Sequence, residues 1–234
     1  MPVHLMRETD KLKKMILSLA AQVEDNLRHA VRAVIERDQT LASRAMENDR
    51  AIDLAEVEVE EECLKILALH QPVAHDLRYI IAMIKINRDL ERIGDLAVNI
   101  AERAIQLISK PRPKSTFALD RMCDMCQNMV ARSLDSMINR DASLAREIWL
   151  SEDDRIDTMM AEAFDLVEKE IAQHPEHTQS LMNMLSVARS LERISDHATN
   201  IAKDTIYMVE GDIVRHRKRK ILAQMASAKN QAAP

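Results

Sequence analysis

Pairs of acidic residues recur at helical spacing in four places along this chain. Glu91 and Asp95 stand four residues apart, and so do Glu192 and Asp196, which follow them by 101 residues. On a helix, this spacing places both carboxylates of a pair on one face. Two further pairs have the same spacing, Asp49 with Asp53 and Asp153 with Asp157. Grouped carboxylates are typical ligands of hard and intermediate cations such as Fe, Mn, Mg and Ca.

A duplicated segment contains two of these pairs. Residues 90–95 read Leu-Glu-Arg-Ile-Gly-Asp and residues 191–196 read Leu-Glu-Arg-Ile-Ser-Asp, and each run is followed by Asn-Ile-Ala, at 99–101 and at 200–202. A near-identical stretch at almost half the chain length predicts two copies of one structural unit. The chain has only 2 Gly and 6 Pro, with 47% hydrophobic and 30% charged residues. This balance is typical of long amphipathic helices, so the fold class is predicted to be all-α.

Apolar positions that alternate in steps of three and four outline six long helices. The first covers about 4–37, the second runs from an N-cap at Asp38 to about 70 and allows a kink near 47–49, and the third begins at Pro72 and ends near 109. In the second half, a helix that carries Met122 to Met137 is followed by helices at about 142–172 and 176–208. We therefore predict two tandem three-helix bundles with pseudo-two-fold symmetry. Their ranges are 1–110 and 117–210, with a proline-containing linker at 111–116 and a basic tail at 211–234.

The turns bring the acidic pairs of each half to the same level. Asp53 lies 18 residues before Gln71 and Glu91 lies 20 after it, and the counts from His174 are 17 for Asp157 and 18 for Glu192. Because both helices rise about 1.5 Å per residue, the levels agree within one helical turn. The predicted metal ligands are Asp49, Asp53, Glu91 and Asp95 in the first half and Asp153, Asp157, Glu192 and Asp196 in the second, with Asn99 and Asn200 as auxiliary ligands.

Four carboxylates at one level repel one another, so they require positive partners. Two interpretations stay open at this point. The first is a bound cation, which the repetition favours; the second is ion pairing with the neighbouring arginines Arg88, Arg92, Arg189 and Arg193. The Glu-x-x-His pattern of ferritin-like di-iron proteins is absent, and His197 should point about 100° away from Asp196.

The sequence favours a binding protein over an enzyme. It contains no Gly-rich phosphate loop, no nucleophile elbow and no Ser/His/Asp arrangement. A carboxylate-bridged multinuclear metalloenzyme of unknown substrate is the alternative, in which an open coordination position would activate water. That alternative requires a place for a substrate beside the metal, and the sequence indicates none.

Charge and composition limit the remaining functions. A net charge of −5 and an aromatic content of 2% argue against nucleic-acid binding by base stacking. No apolar run reaches the ~18 residues of a membrane span and no signal-peptide pattern is present, so we expect a cytoplasmic protein.

Cys123 and Cys126 have no second pair of cysteines that could complete a zinc site, so we expect them to be small buried side chains. The basic run 215–220 either ends the last helix or contacts an anionic membrane or acidic partner.

The duplicated segment also resembles a known family. Residues 89–95, together with Asn-Ile-Ala-Glu at 99–102 and Gln-Pro-Val-Ala at 71–74, resemble the PhoU family of accessory regulators of phosphate-specific transport. The likeness covers nearly the whole chain and includes residues 207–216. It implies two three-helix repeats with multinuclear metal clusters at the acidic pairs, often of iron, with Mn, Mg, Zn and Ca as alternatives. Since Ser195 replaces Gly94 in the second copy, the resemblance leaves open whether both halves bind metal.

The resemblance further implies a role and partners. It predicts a negative regulator of phosphate uptake and of the phosphate-starvation response. In that role the protein is an adaptor between the ATPase subunit of a phosphate ABC transporter and a membrane sensor histidine kinase. A homodimer is expected on the same ground, and peripheral membrane association stays open.

Overall fold

The computed structural model describes residues 3–113, 117–151, 153–215 and 217. Throughout these ranges the secondary structure is helical, with short connections between helices and no strand. The predicted all-α fold class is therefore confirmed. Within the same ranges, none of the helices combines the length and the apolar character that crossing a bilayer requires.

Three helices form the first bundle, α1 (Val3–Glu36), α2 (Gln39–His70) and α3 (Ala74–Ile108). The second bundle consists of α4 (Leu119–Asn139), α5 (Ala142–Ser151), α6 (Asp153–Gln173) and α7 (Thr178–Glu210), with a 3-10 turn at Pro175–His177. Together, α5 and α6 occupy the predicted helix at 142–172, and residue 152 between them lies outside the described residues. Helix α2 is uninterrupted through 47–49, where the sequence allowed a kink, and Pro72 precedes α3 rather than lying in its first turn.

The turns after α1 and α4 have the same backbone conformation and the same kind of helix cap. Helices α1 and α4 are each followed by an arginine in the left-handed region, with φ of 56° at Arg37 and 53° at Arg140. The next residue caps the following helix. Oδ1 of Asp38 accepts hydrogen bonds of 2.7 and 3.1 Å from the amides two and three residues later, and Oδ1 of Asp141 accepts two of 2.9 and 3.0 Å. These caps satisfy amide groups that would otherwise lack partners at a helix start, which confirms the predicted N-cap at Asp38.

The long helices α3 and α7 join the halves. Within the first bundle α1, α2 and α3 contact one another, and within the second α7 contacts α4, α5 and α6. The most extensive interface lies between α3 and α7.

The three cysteines are free and buried, and burial raises the pKa of Cys63 and of Cys123 to about 12. Their interpretation as small core side chains is confirmed.

A glycine allows α2 and α3 to pack closely beside the acidic residues. A Cβ added to Gly94 would lie 3.2 Å from Cγ2 of the buried Ile52. In the second half the equivalent residue, Ser195, is also buried, and its hydroxyl donates a 2.6 Å hydrogen bond to the carbonyl oxygen of Glu192. The second half therefore accommodates a side chain where the first half has none.

We expect Gly94→Ala to change the free energy of unfolding by less than about 1 kcal/mol, because the better helix propensity of alanine offsets the crowding of Ile52. Gly94→Val places further methyl groups toward Ile52 and should destabilise the protein by about 2 kcal/mol or more. Urea denaturation measures both values. A Gly94→Val variant as stable as the wild type would contradict the close approach of the two helices.

Candidate metal centre

Helices α2 and α3 bring three carboxylates together in the first bundle. One carboxylate oxygen from each of Asp49, Asp53 and Asp95 lies within 4.8 Å of the other two. Asp49 and Asp53 occupy successive turns of α2, and Asp95 reaches them from α3. Asp49 and Asp95 are partly buried, whereas Asp53 is exposed. Among the described residues, no other group of three His, Cys, Asp or Glu side chains comes this close.

Asp49 is the least favourably placed of the three. Burial raises the pKa of its carboxyl group, and the neighbouring charges of Asp53 and Asp95 raise it further. Its Oδ1 atom is buried and has no hydrogen-bond partner among the residues that the structure describes. Since buried polar atoms in proteins nearly always have a partner, this oxygen marks a place for a proton, a water molecule or a cation.

Glu91, the fourth ligand predicted in this half, lies at the edge of the group. It is not one of the three side chains whose oxygens come within 4.8 Å of one another. Burial raises the pKa of Glu91, and the charge of Asp95 adds to the increase, followed more weakly by Glu56 and Asp53. Glu91 is therefore close enough to be influenced by the group without belonging to it.

Arg92 supplies part of the positive charge that the ion-pair interpretation requires. Its Nη1 lies 2.8 Å from Oδ2 of Asp95, and its Nε lies 3.3 Å from Oε2 of Glu91. No cation of the described residues forms an ion pair with Asp49 or Asp53. Ion pairing with arginine thus compensates Asp95 but leaves the two carboxylates of α2 without a positive partner.

The donor set fits a metal ion. Protein oxygen ligands lie roughly 2.0–2.6 Å from Mg²⁺ or Ca²⁺, so two oxygens on opposite sides of one ion are separated by up to about 5 Å. The three carboxylate oxygens, all within 4.8 Å of one another, satisfy this condition. Carboxylate ligands suit hard cations, in agreement with the chemistry predicted for these residues.

The second half is described less completely. Glu192 is partly buried, whereas Asp157 and Asp196 are exposed and each take part in interactions with other residues. Asp153 is the first residue of α6, and its side chain lies outside the described residues. A metal site at these four residues therefore stays a prediction.

The two predicted auxiliary ligands have different surroundings in the described structure. Asn99 is exposed on α3. Asn200 lies in the interface between α3 and α7, where its Nδ2 is 3.5 Å from Oδ1 of Asp89 and its Oδ1 is 3.3 Å from Nζ of Lys203. His197 Nδ1 approaches the same Oδ1 of Asp89 at 2.8 Å. Sequence reasoning missed this pair, and the only signal was that Asp89 immediately precedes the duplicated segment.

The chain is similar to known proteins along most of its length. A PhoU domain model matches residues 16–104 and 119–205, one match in each half. A phosphate-specific transport system accessory protein PhoU homolog of Pseudomonas putida is 38% identical over 210 residues, covering 89% of this chain and 82% of the relative. The homolog of Aquifex aeolicus (strain VF5) is 37% identical over 220 residues, covering 92% of this chain and 97% of the relative.

Two solved structures have the same fold. The crystal structure of PhoU from Pseudomonas aeruginosa superposes with a TM-score of 0.85 at 36% identity, covering 88% of this chain and 99% of that one. The phosphate transport system regulatory protein PhoU from Streptococcus pneumoniae superposes with a TM-score of 0.82 at 26% identity, covering 90% and 99%. The predicted architecture of two tandem three-helix repeats is confirmed by these matches.

We expect Asp49→Asn to stabilise the metal-free protein at neutral pH. Folding raises the pKa of Asp49 above 3.8, so the folded protein binds this proton more tightly than the unfolded chain does. The stability of the wild type therefore falls as the pH rises from 3.8 through the raised pKa, whereas asparagine does not titrate. The difference in stability between Asp49→Asn and the wild type should disappear below pH 3.8.

Urea denaturation in the presence of a chelator, at acidic and at neutral pH, measures this difference. Glu58→Gln changes an exposed carboxylate on the same helix, and it should alter stability by less than about 0.5 kcal/mol at either pH. An Asp49→Asn variant that is less stable than the wild type at neutral pH would contradict the argument.

Proposed function

This chain belongs to the PhoU family, and we propose that it acts as an accessory regulator of phosphate-specific transport that restrains phosphate uptake and the phosphate-starvation response. The observation that carries the proposal is the match of both halves to the PhoU domain. The relatives that match most of the chain are named as accessory proteins of phosphate-specific transport, which supports a regulatory rather than a catalytic role.

We further propose that the protein is an adaptor between the transporter's ATPase subunit and a membrane sensor histidine kinase. An exposed apolar stripe on α2 supports a protein-binding role. The stripe consists of Leu54, Val57 and Leu64, whose exposed fractions are 58%, 49% and 55%. It lies on the side of α2 opposite to the buried Ile52 and Val59, so it contributes nothing to the core. Exposed apolar side chains along one side of a helix are typical of interaction surfaces.

The acidic group adjoins this stripe and is proposed to bind metal. Asp49, Asp53 and Asp95 would hold the ion, which is iron by resemblance, and Glu91 lies close enough to join a multinuclear cluster. The unpartnered Oδ1 of Asp49 and the uncompensated charge of Asp53 support the proposal. A bound cation would neutralise the repulsion among the carboxylates and link α2 to α3, which would fix the surface that a partner meets.

We expect the protein purified without chelator to contain metal by elemental analysis. The variant Asp49→Asn/Asp53→Asn/Asp95→Asn should lose the metal of the first half, because it removes all three anionic ligands. A matched control is Glu58→Gln/Glu61→Gln/Glu102→Gln, which makes the same change in charge at exposed positions of the same two helices. It should retain the metal.

Titration of the metal-free protein with Fe, Mn, Mg, Zn and Ca identifies the preferred ion. The ligand variant should bind that ion at least about tenfold more weakly than the control. Absence of metal from the wild type, or full retention by the ligand variant, would refute the proposed centre. Metal that persists in the ligand variant and disappears after substitution of Asp157 and Asp196 would identify the second site.

In cells, we expect deletion of the gene to raise the expression of phosphate-starvation genes in phosphate-rich medium. Re-expression of the wild type should restore repression. Leu54→Ser/Val57→Ser/Leu64→Ser should fail to restore it while retaining both metal and fold, because it removes the apolar stripe alone. Starvation-gene expression unaffected by deletion would refute the regulatory role, whereas repression restored by the stripe variant would refute this surface as the partner site.

A further inference from the structure

A cleft of about 590 Å³ lies where the two halves of the chain are joined. Its walls come from the ends of α1 and α3, the segment that follows α3, the start of α4 and one turn of α7. Sites for small molecules typically have volumes of roughly 300–1,000 Å³, so the cleft is large enough to hold one. None of its residues belongs to the acidic group or to the apolar stripe of α2.

One part of the cleft wall is apolar. Four of its apolar side chains are buried in the core and two more are packed against the core; these are Val34, Leu107, Phe117 and Leu119, with Ile35 and Met184. Because the core holds them in place, they form a fixed apolar surface. An apolar group that covers this surface would remove both itself and the wall from water, which favours binding.

Another part of the wall holds two arginines that are fixed by main-chain carbonyl groups. Nη1 of Arg37 donates a hydrogen bond to the carbonyl oxygen of Lys110, and Nη2 of Arg112 donates one of 3.0 Å to the carbonyl oxygen of Ile35. A carbonyl group orients a guanidinium group without neutralising its charge. Burial lowers the pKa of Arg37, and the nearby positive charge of Arg112 lowers it further. Two like charges are therefore held close to each other.

These two arginines have no acidic partner in the part of the chain that the structure describes. Arg37 and Arg112 donate to carbonyl oxygens, and neither forms an ion pair with a described carboxylate. Asp120 is the one carboxylate among the described residues that line the cleft, and it lies at the start of α4 next to a third arginine, Arg121. An anion beside Arg37 and Arg112 would relieve their repulsion and would meet guanidinium donors that are already oriented.

Both halves of the chain fix the segment that forms this wall. Arg37 of the first half binds the carbonyl oxygen of Lys110, and Oγ of Ser180 on α7 donates a 3.0 Å hydrogen bond to the carbonyl oxygen of Pro111. Pro113, the next residue but one, is buried. The shape of the cleft therefore depends on contacts from both repeats, and a molecule bound in it would contact both.

We propose that this cleft binds a small amphiphilic anion, a molecule with one terminal carboxylate or phosphate group on an apolar body. Arg37 and Arg112 would receive the charged group, and the apolar wall would receive the body. An inorganic anion would leave the apolar wall uncovered, and a neutral apolar molecule would leave the two arginines without a partner. Because binding is measured on the purified chain, the inference stands independently of the proposed regulatory function.

The experiment is isothermal titration of the full chain at neutral pH with octanoate, octyl phosphate, octanol and inorganic phosphate, all below the concentrations at which micelles form. At least one of the two octyl anions should bind at least tenfold more tightly than either octanol or inorganic phosphate. Tighter binding of octanoate identifies a carboxylate as the preferred charged group, and tighter binding of octyl phosphate identifies a phosphate. Binding of neither octyl anion, or equal binding of octanol, would overturn the proposal.

Two variants at exposed positions of the cleft assign the binding to it. Arg112→Glu should weaken binding of the octyl anion at least tenfold, because it replaces attraction by repulsion. Ala118→Trp should weaken it as strongly, because it places a large side chain in the cleft without changing its charge. The matched control Arg44→Glu makes the same change in charge at an exposed position of α2 outside the cleft, and it should bind like the wild type.

The variants also decide against the proposal if the cleft is not the site. Unchanged binding in either cleft variant, or a loss in Arg44→Glu as large as that in Arg112→Glu, would overturn it. Circular dichroism and urea denaturation confirm that each variant is folded, so that weaker binding reports on the cleft itself.

Discussion

Repulsion among the three carboxylates of the first bundle is the constraint on which the candidate centre depends. The contact of Ile52 with the face of Gly94 brings α2 and α3 close, so the backbone of α3 holds Asp95 beside Asp49 and Asp53 of α2. Partial burial weakens the screening of these charges by water and salt. Apolar packing therefore maintains an arrangement that electrostatics alone opposes, and Arg92 relieves it only at Asp95.

Helix geometry explains why much of this centre could be predicted from the sequence. Four-residue spacing fixed the face of each pair, and the constant rise of a helix allowed the levels on α2 and α3 to be compared by counting from the turn. These two quantities predicted the meeting of Asp49, Asp53 and Asp95. They did not predict that Glu91 would lie outside the group, because counting from a turn does not fix the rotation of α3 about its own axis.

The contacts between the halves could not be predicted in the same way. Asp89 and His197 are 108 residues apart, and their meeting depends on how α3 lies across α7. Hydrophobic periodicity identifies the buried side of each helix, but two helices with the same periodicity can pack at several angles and offsets. Asn200 illustrates the consequence, since its sequence position one turn beyond Asp196 suggested a metal ligand, whereas its side chain contacts Asp89.

Helix α3 links the acidic group to the second half of the protein. It contributes Asp95 to the group, and Asp89, six residues earlier on the same helix, contacts His197 of α7. A rise of about 9 Å along one rigid helix separates these two positions. The same helix forms the main contact with α7, so any displacement of α3 on binding would be transmitted to the second half.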